Sequence, residues 1–118
     1  MPFEQHQERT YAQDAQSVYQ AALKATEKLE GKLLNASAET LRFEANFPKT
    51  VLGKVLGERT YCAFEVQAQP EGSRMMVDAY PLDALNRKLM FGARKGVTLT
   101  LVTWFIAHLE HNLGVLQK

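Results

Sequence analysis

Three sets of side chains in this chain are of a type that could do chemistry. His108 and His111 stand three apart near the C-terminus with Glu110 between them, and helical spacing of three brings two imidazoles toward a common point. The zinc-binding helix uses spacing four with a glutamate next to the first histidine, whereas here the order is HLEH with no third ligand close in sequence. We therefore expect no metal and no cofactor: His108 at the margin of an apolar helix stripe, and His111 in solvent near a helix C-terminus, which favours a cationic ring. Cys62 alternates in register with Phe64 and Val66. A thiol on an apolar strand face is desolvated and inert, so it reads as a core residue rather than a nucleophile. Glu44, Glu65 and Asp78 fall on the polar side of the same alternation, as cross-strand partners for Arg42 and Arg74. No serine has a nucleophile-elbow context. The glycines of VLGKVLGE match neither a phosphate loop nor a dinucleotide fingerprint. No catalytic set is legible.

Two segments could carry binding instead. Arg87, Lys88, Arg94 and Lys95 bracket Leu89-Met90-Phe91 inside an acid-free stretch from Ala84 to Leu109, a candidate anion-binding surface. The bland reading is a solvated loop with Met90 and Phe91 tucked inward. Val51, Leu52, Val55 and Leu56 lie in a glycine-flexed connection. Each costs roughly 1.5–3 kcal/mol if left in water when it could be buried. With Met90 and Phe91 they form a candidate ligand or partner surface, unless they close over the core.

Positioning such residues requires a scaffold, and its outline is readable. A chain of 118 residues with 46% hydrophobic residues and a net charge of +1 is the size of one domain spanning residues 1–118, and can build a core without staples. One cysteine excludes an internal disulfide and suits a reducing, cytoplasmic setting. The longest nearly charge-free run, Gly96 to Leu109, is too short to span a bilayer. Ala15, Val18, Tyr19, Ala22, Ala25, Thr26 and Leu29 recur at helical steps, with Thr10 or Asp14 as N-cap and Gly31 as the stop. Leu41–Phe47, Tyr61–Gln69 and Met75–Ala79 alternate with period two. Gln69-Pro70-Glu71-Gly72 supplies a hairpin turn. Lys32–Asn35 reads as a shorter paired strand, and Phe3–Arg9 as an edge strand or an extended arm. Val97, Leu101, Trp104, Phe105, His108, Leu109 and Leu113 form the stripe of a last helix, with Trp104 expected over Phe43, Phe64, Val66 and Val77. Pro48–Gly57 and Pro81–Gly96 carry no regular period.

The predicted fold is α+β, an antiparallel sheet of four to five strands with two helices on one face, in the order β-α-β-β-β-β-α. That order, the curved-sheet pattern and the terminal helix ending AHLEHNL resemble small uncharacterised bacterial domains with a TATA-binding-protein-like or helix-grip-like layout. Such folds bind apolar ligands, nucleic acid or partner proteins, so the resemblance favours binding over catalysis without choosing the ligand. The leading expectation is a non-catalytic binding or interaction module, with an apolar site between sheet and helices for a small ligand or a protein partner. A small enzyme using His108 or His111 as acid–base, and a nucleic-acid module using segment 87–95, are the alternatives. Near-neutral charge disfavours the second. The surplus of apolar residues in the two irregular segments also predicts a homodimer.

Overall fold

A computed structural model of the chain describes residues 4–83, 85, 87–89 and 96–114. Met90, Phe91, Arg94 and Lys95 lie outside them. The first element is a strand, β1 (Gln5–Tyr11), followed by helix α1 (Ala15–Lys28), strands β2 (Lys32–Ser37) and β3 (Arg42–Phe47), a two-rung hairpin of β4 (Thr50–Val51) and β5 (Lys54–Val55), long strands β6 (Arg59–Gln69) and β7 (Gly72–Leu82), and helix α2 (Val97–Leu113). β1, β7, β6, β3 and β2 form one five-stranded sheet in that spatial order, every pair antiparallel. Both helices lie on one face and pack against each other, α1 over β6 and β7, α2 over β7 and β1.

Local chemistry sets the element ends. Of the two candidate caps, Asp14 is the one used: its carboxylate accepts the Ser17 amide at 3.2 Å and the Ser17 hydroxyl at 2.6 Å. These bonds hold its pKa below the usual carboxylate value. The helix ends in a pair of bonds, Glu30 N–H to Glu27 O and Gly31 N–H to Thr26 O, with Glu30 left-handed at φ 65°. Gly31 is therefore not the left-handed stop. Its lack of a side chain matters because a Cβ there would sit 2.6 Å from the Phe47 ring. Gly72 closes the β6–β7 hairpin at φ 129°, where a Cβ would lie 2.0 Å from the Tyr11 carbonyl oxygen.

Alternation then divides the sheet. Phe43, Ala45 and Phe47 on β3, Cys62, Phe64 and Val66 on β6, and Met75, Val77 and Ala79 on β7 are all buried under the helices. Tyr19 meets Phe43 edge-on at 6.0 Å, Phe43 stacks on Phe64 at 5.0 Å, and Phe64 meets Phe105 edge-on at 5.8 Å. One aromatic run thus links α1, the sheet and α2. The expected stripe of α2 is rotated in part: Val97, Leu101, Phe105 and Leu109 are buried as expected, joined by Thr98, Val102 and Ile106, while Trp104 is half-buried at the core's margin. Phe105, not Trp104, lies against Phe64. Ala45, Cys62 and Ala79 form a small-residue row across three strands, which leaves room for the larger side chains of α2. β7 runs on through Pro81 and Leu82, beyond its last described pair with β1 at Gln5–Ala79, where a missing proline N–H is tolerated.

Candidate functional site

β1 is bonded to β7 with Gln5 opposite Ala79, Gln7 opposite Val77, Arg9 opposite Met75 and Tyr11 opposite Ser73. Directly paired residues share a face, so Gln5, Gln7 and Arg9 continue the apolar inner face with polar side chains. Above them α2 carries Leu99, 45% exposed, and the buried Val102 and Ile106. Between strand and helix runs an open groove of about 330 Å³, lined by Gln7, Arg9, Leu99, Val102, Thr103, Ile106, Ala107 and Glu110. The helix wall is mostly apolar and the strand wall carries hydrogen-bonding groups. The Arg9 guanidinium donates to Gln7 Oε1 at 3.1 Å and to the Glu8 carbonyl at 2.8 Å, which holds the cation along the strand with donors to spare. At one end the Tyr11 hydroxyl donates to Glu110 Oε2 at 2.9 Å. Burial, and then this bond, push the phenol well above its ordinary pKa. The geometry suits a small molecule with an apolar body against α2 and a polar or anionic end at Gln7 and Arg9.

The outer sheet face has a different hollow, about 310 Å³, whose lining includes Ser37, Thr40, Arg42, Glu44, Ala63, Glu65, Met76 and Asp78. Within it Arg42 pairs with Glu65 at 3.9 Å. His6 lies between two carboxylates, Nδ1 to Asp78 at 2.5 Å and Nε2 to Glu8 at 2.7 Å, and Glu8 is also paired with Arg74. The hydrogen bond to Glu8, then that to Asp78, raise the imidazole pKa. Tyr61 stacks on Tyr80 at 4.8 Å, and Lys88 Nζ sits 5.4 Å from the Tyr80 ring centroid.

The residues singled out from sequence disperse. Val51 is fully buried and Leu56 packs against the core, whereas Leu52 is 43% and Val55 79% exposed. The first pair covers the core and the second does not. Leu52 and Gly53 make the turn with φ values of 52° and 79°, a conformation that costs an L side chain about 1–2 kcal/mol. Leu41 also has a positive φ, 55°, but it packs against the core; Leu52 has no such compensation. Arg87 pairs with Asp83 at 3.1 Å, and Lys88 with Glu4. Backbone amides, first that of Arg87, hold the Asp83 pKa below the ordinary carboxylate value. The basic segment is thus partly neutralised by acids outside it, Glu4 and Asp83. Met90, Phe91, Arg94 and Lys95 cannot be placed, being outside the described residues. Cys62 is buried in the small-residue row, where desolvation pushes the thiol up to about 12. His108 is half-buried and His111 exposed, and neither hydrogen-bonds a carboxylate among the described residues. Among the described residues no group of three or more His, Cys, Asp or Glu side chains is arranged to hold a metal ion. The groove residues Gln7, Arg9, Leu99, Thr103 and Ala107 were not legible as a site. Their available signal was a strand polar on both faces, set against a helix with more apolar residues than one stripe needs.

No protein-family model matches the sequence, and no curated protein resembles it in sequence. Solved structures do match in shape. Ara h 8.0201 superposes with a TM-score of 0.66 at 12% identity, over 94% of this chain and 97% of that one. Protein CV1439 from Chromobacterium violaceum gives 0.61 at 10% identity, over 94% and 96%. The di-domain ARO/CYC BexL from the BE-7585A biosynthetic pathway gives 0.59 at 9% identity, over 94% of this chain and 46% of that one. At these identities the likeness is one of fold alone: the neighbours are small α+β proteins of Bet v1-like and polyketide-cyclase-like fold.

Proposed function

We propose that this chain is a non-catalytic binding domain for a small amphipathic molecule, taken up in the groove between β1 and α2. The observation that carries this reading is the mismatch across that groove. An apolar helix wall, Leu99, Val102, Ile106 and Ala107, faces a strand whose inner side is Gln7 and Arg9. A helix that only had to cover the sheet would meet apolar side chains on β1 as it does on β7. The groove volume, about 330 Å³, is at the small end of ligand sites. The Bet v1-like and cyclase-like neighbours support a ligand-binding use of the fold. The interior beneath the helices is occupied by Tyr19, Phe43, Phe64 and Phe105, which supports the β1 edge over the sheet's centre as the place for a ligand.

The test uses 1-anilinonaphthalene-8-sulfonate, an apolar ring system with an anionic end. Its fluorescence should rise on the folded protein, with amide shifts in a nitrogen-proton NMR spectrum centred on Gln7, Leu99 and Thr103. Ala107→Trp, which fills the groove from a half-buried position, should abolish those shifts. Arg9→Gln should weaken binding by about tenfold or more, the loss expected for one charge-assisted bond. Shifts centred elsewhere, or unchanged in Ala107→Trp, would show that the groove is not the site.

A further inference from the structure

Beyond ligand binding, we infer that the β4–β5 hairpin is a docking tip for the surface of an anionic lipid membrane. Two observations converge on it. The first is Leu52, a branched apolar residue at the left-handed first position of a two-residue turn, φ 52°, where asparagine, aspartate or glycine is the ordinary choice. It is exposed, and Val55 beside it is more so. Leu52 keeps 43% of its surface exposed and has no place in the core to offset the strain of its backbone, so a contact outside the chain accounts for the residue. The second is charge. Lys49 and Lys54 flank the tip, and neither forms an ion pair with a described residue. At the same end of the sheet Asp83 holds Arg87 and Glu4 holds Lys88, and Glu58 is buried.

The hairpin does not stand alone. Phe47 leads into it and Arg59 follows it, Arg59 is paired with Leu82, and the turn after β7 presents Leu85 at 69% exposure. Asp83 Oδ1 accepts the amides of Leu85 and Arg87 at 2.8 and 2.9 Å. Exposed apolar side chains, Leu52, Val55 and Leu85, therefore stand at the same end of the sheet, with Lys49 and Lys54 beside the first two. Apolar side chains that insert at the headgroup boundary, flanked by cations that attract anionic lipid, are the two signals that a reversible membrane contact needs. No helix among the described residues is long and apolar enough to cross a membrane, and this contact needs none. The occupant is a lipid surface rather than a second copy of the chain, because the lysines that flank the tip would repel their own image across a two-fold axis.

Co-sedimentation with phosphatidylcholine vesicles, with and without about one-third phosphatidylserine, tests this on the whole chain. Binding should appear with the anionic vesicles and fall with added salt. Lys49→Gln with Lys54→Gln should weaken it roughly thirtyfold, from about 1 kcal/mol per cation near such a surface. Leu52→Asn is the sharper variant, since asparagine accepts the left-handed turn that leucine does not. It should raise the thermal midpoint and lower vesicle binding together. A purely structural leucine would lose midpoint on the same change. The inference is overturned by absence of binding to either vesicle, by binding that Leu52→Asn leaves intact, or by a concentration-dependent dimer that Leu52→Asn dissociates.

Discussion

The two faces of this sheet are made from the same strands, residue by alternate residue, and they hold together in different ways. On the inner face Phe43, Phe64 and Val77 lie in one row and Ala45, Cys62 and Ala79 in the next, buried in one core with Leu101 and Phe105. On the outer face the matching rows carry Arg42 opposite Glu65, and Glu44 opposite Ala63 opposite Asp78. His6, Glu8 and Arg74 extend that chain to the edge. Shape decides inside, because each inner residue has neighbours on every side that cannot relax fully. Outside, charge arrangement decides, and solvent screens it. A period of two thus lets one strand carry two unrelated kinds of energetics.

Substitutions can break that contrast in order of expected size. Phe64→Ala removes the ring that joins Phe43 to Phe105 and should cost about 3–5 kcal/mol in denaturant unfolding. Trp104→Ala should cost clearly less, since that ring is only half-buried; equal losses would mean that the rotated stripe of α2 is misread. Next, one change can be made on both faces. Ala79→Leu overpacks the inner row and should destabilise by about 1–3 kcal/mol. Ala63→Leu, on the outer hollow's floor, should stay within about 0.5 kcal/mol. Similar values for the two would erase the distinction.

The smallest effect is electrostatic. The imidazole of His6 has a folded pKa above its ordinary 6.5. Its contribution is fully present below 6.5 and is lost as pH rises through the folded value. Glu8, held low by its hydrogen bonds to His6 and then Arg74, is lost only under acid, well below that window. The unfolding midpoint should therefore drop slightly from about pH 6 to about pH 8, and His6→Gln should flatten that slope. A slope that survives the change would place the titration elsewhere.

Much of this scaffold was legible from residue order alone. Period two along Leu41–Phe47 and Tyr61–Gln69 predicted the faces correctly where the inner side is buried, at Phe43–Phe47 and Cys62–Val66; it failed at Leu41, which is left-handed and precedes the strand, and at Ala68, which is exposed. Pro70 and Gly72 marked the hairpin through backbone chemistry that packing does not override. β1 was ambiguous for a physical reason: its inner face looks into an open groove, so no apolar alternation was required of it. The hairpin 50–55 hid because its residues divide, Val51 inward and Val55 outward, within a stretch too short to show a period. Trp104 misled because the stripe was drawn through Trp104 and His108, whereas the buried face of α2 runs through Thr98, Val102 and Ile106 and leaves Trp104 at the core's margin. The groove itself was illegible because each of its residues is ordinary. Only β1 and α2 brought together, from opposite ends of the chain, make them a site.

That last circumstance has a kinetic side. β6 and β7 are joined by the turn at Pro70-Glu71 and can zip from it, while β1 must find β7 across the whole intervening chain, Tyr11 meeting Ser73 and Gln5 meeting Ala79. Loop closure over such separations is unfavourable and slow, so the N-terminal strand docks late on a hairpin already formed. Being an edge with mostly exposed side chains, it buries little besides Tyr11. Its amides should exchange with solvent through a local opening that leaves the β6–β7 amides protected. A guest in the groove would slow that exchange by tying the first strand of the chain to its last helix.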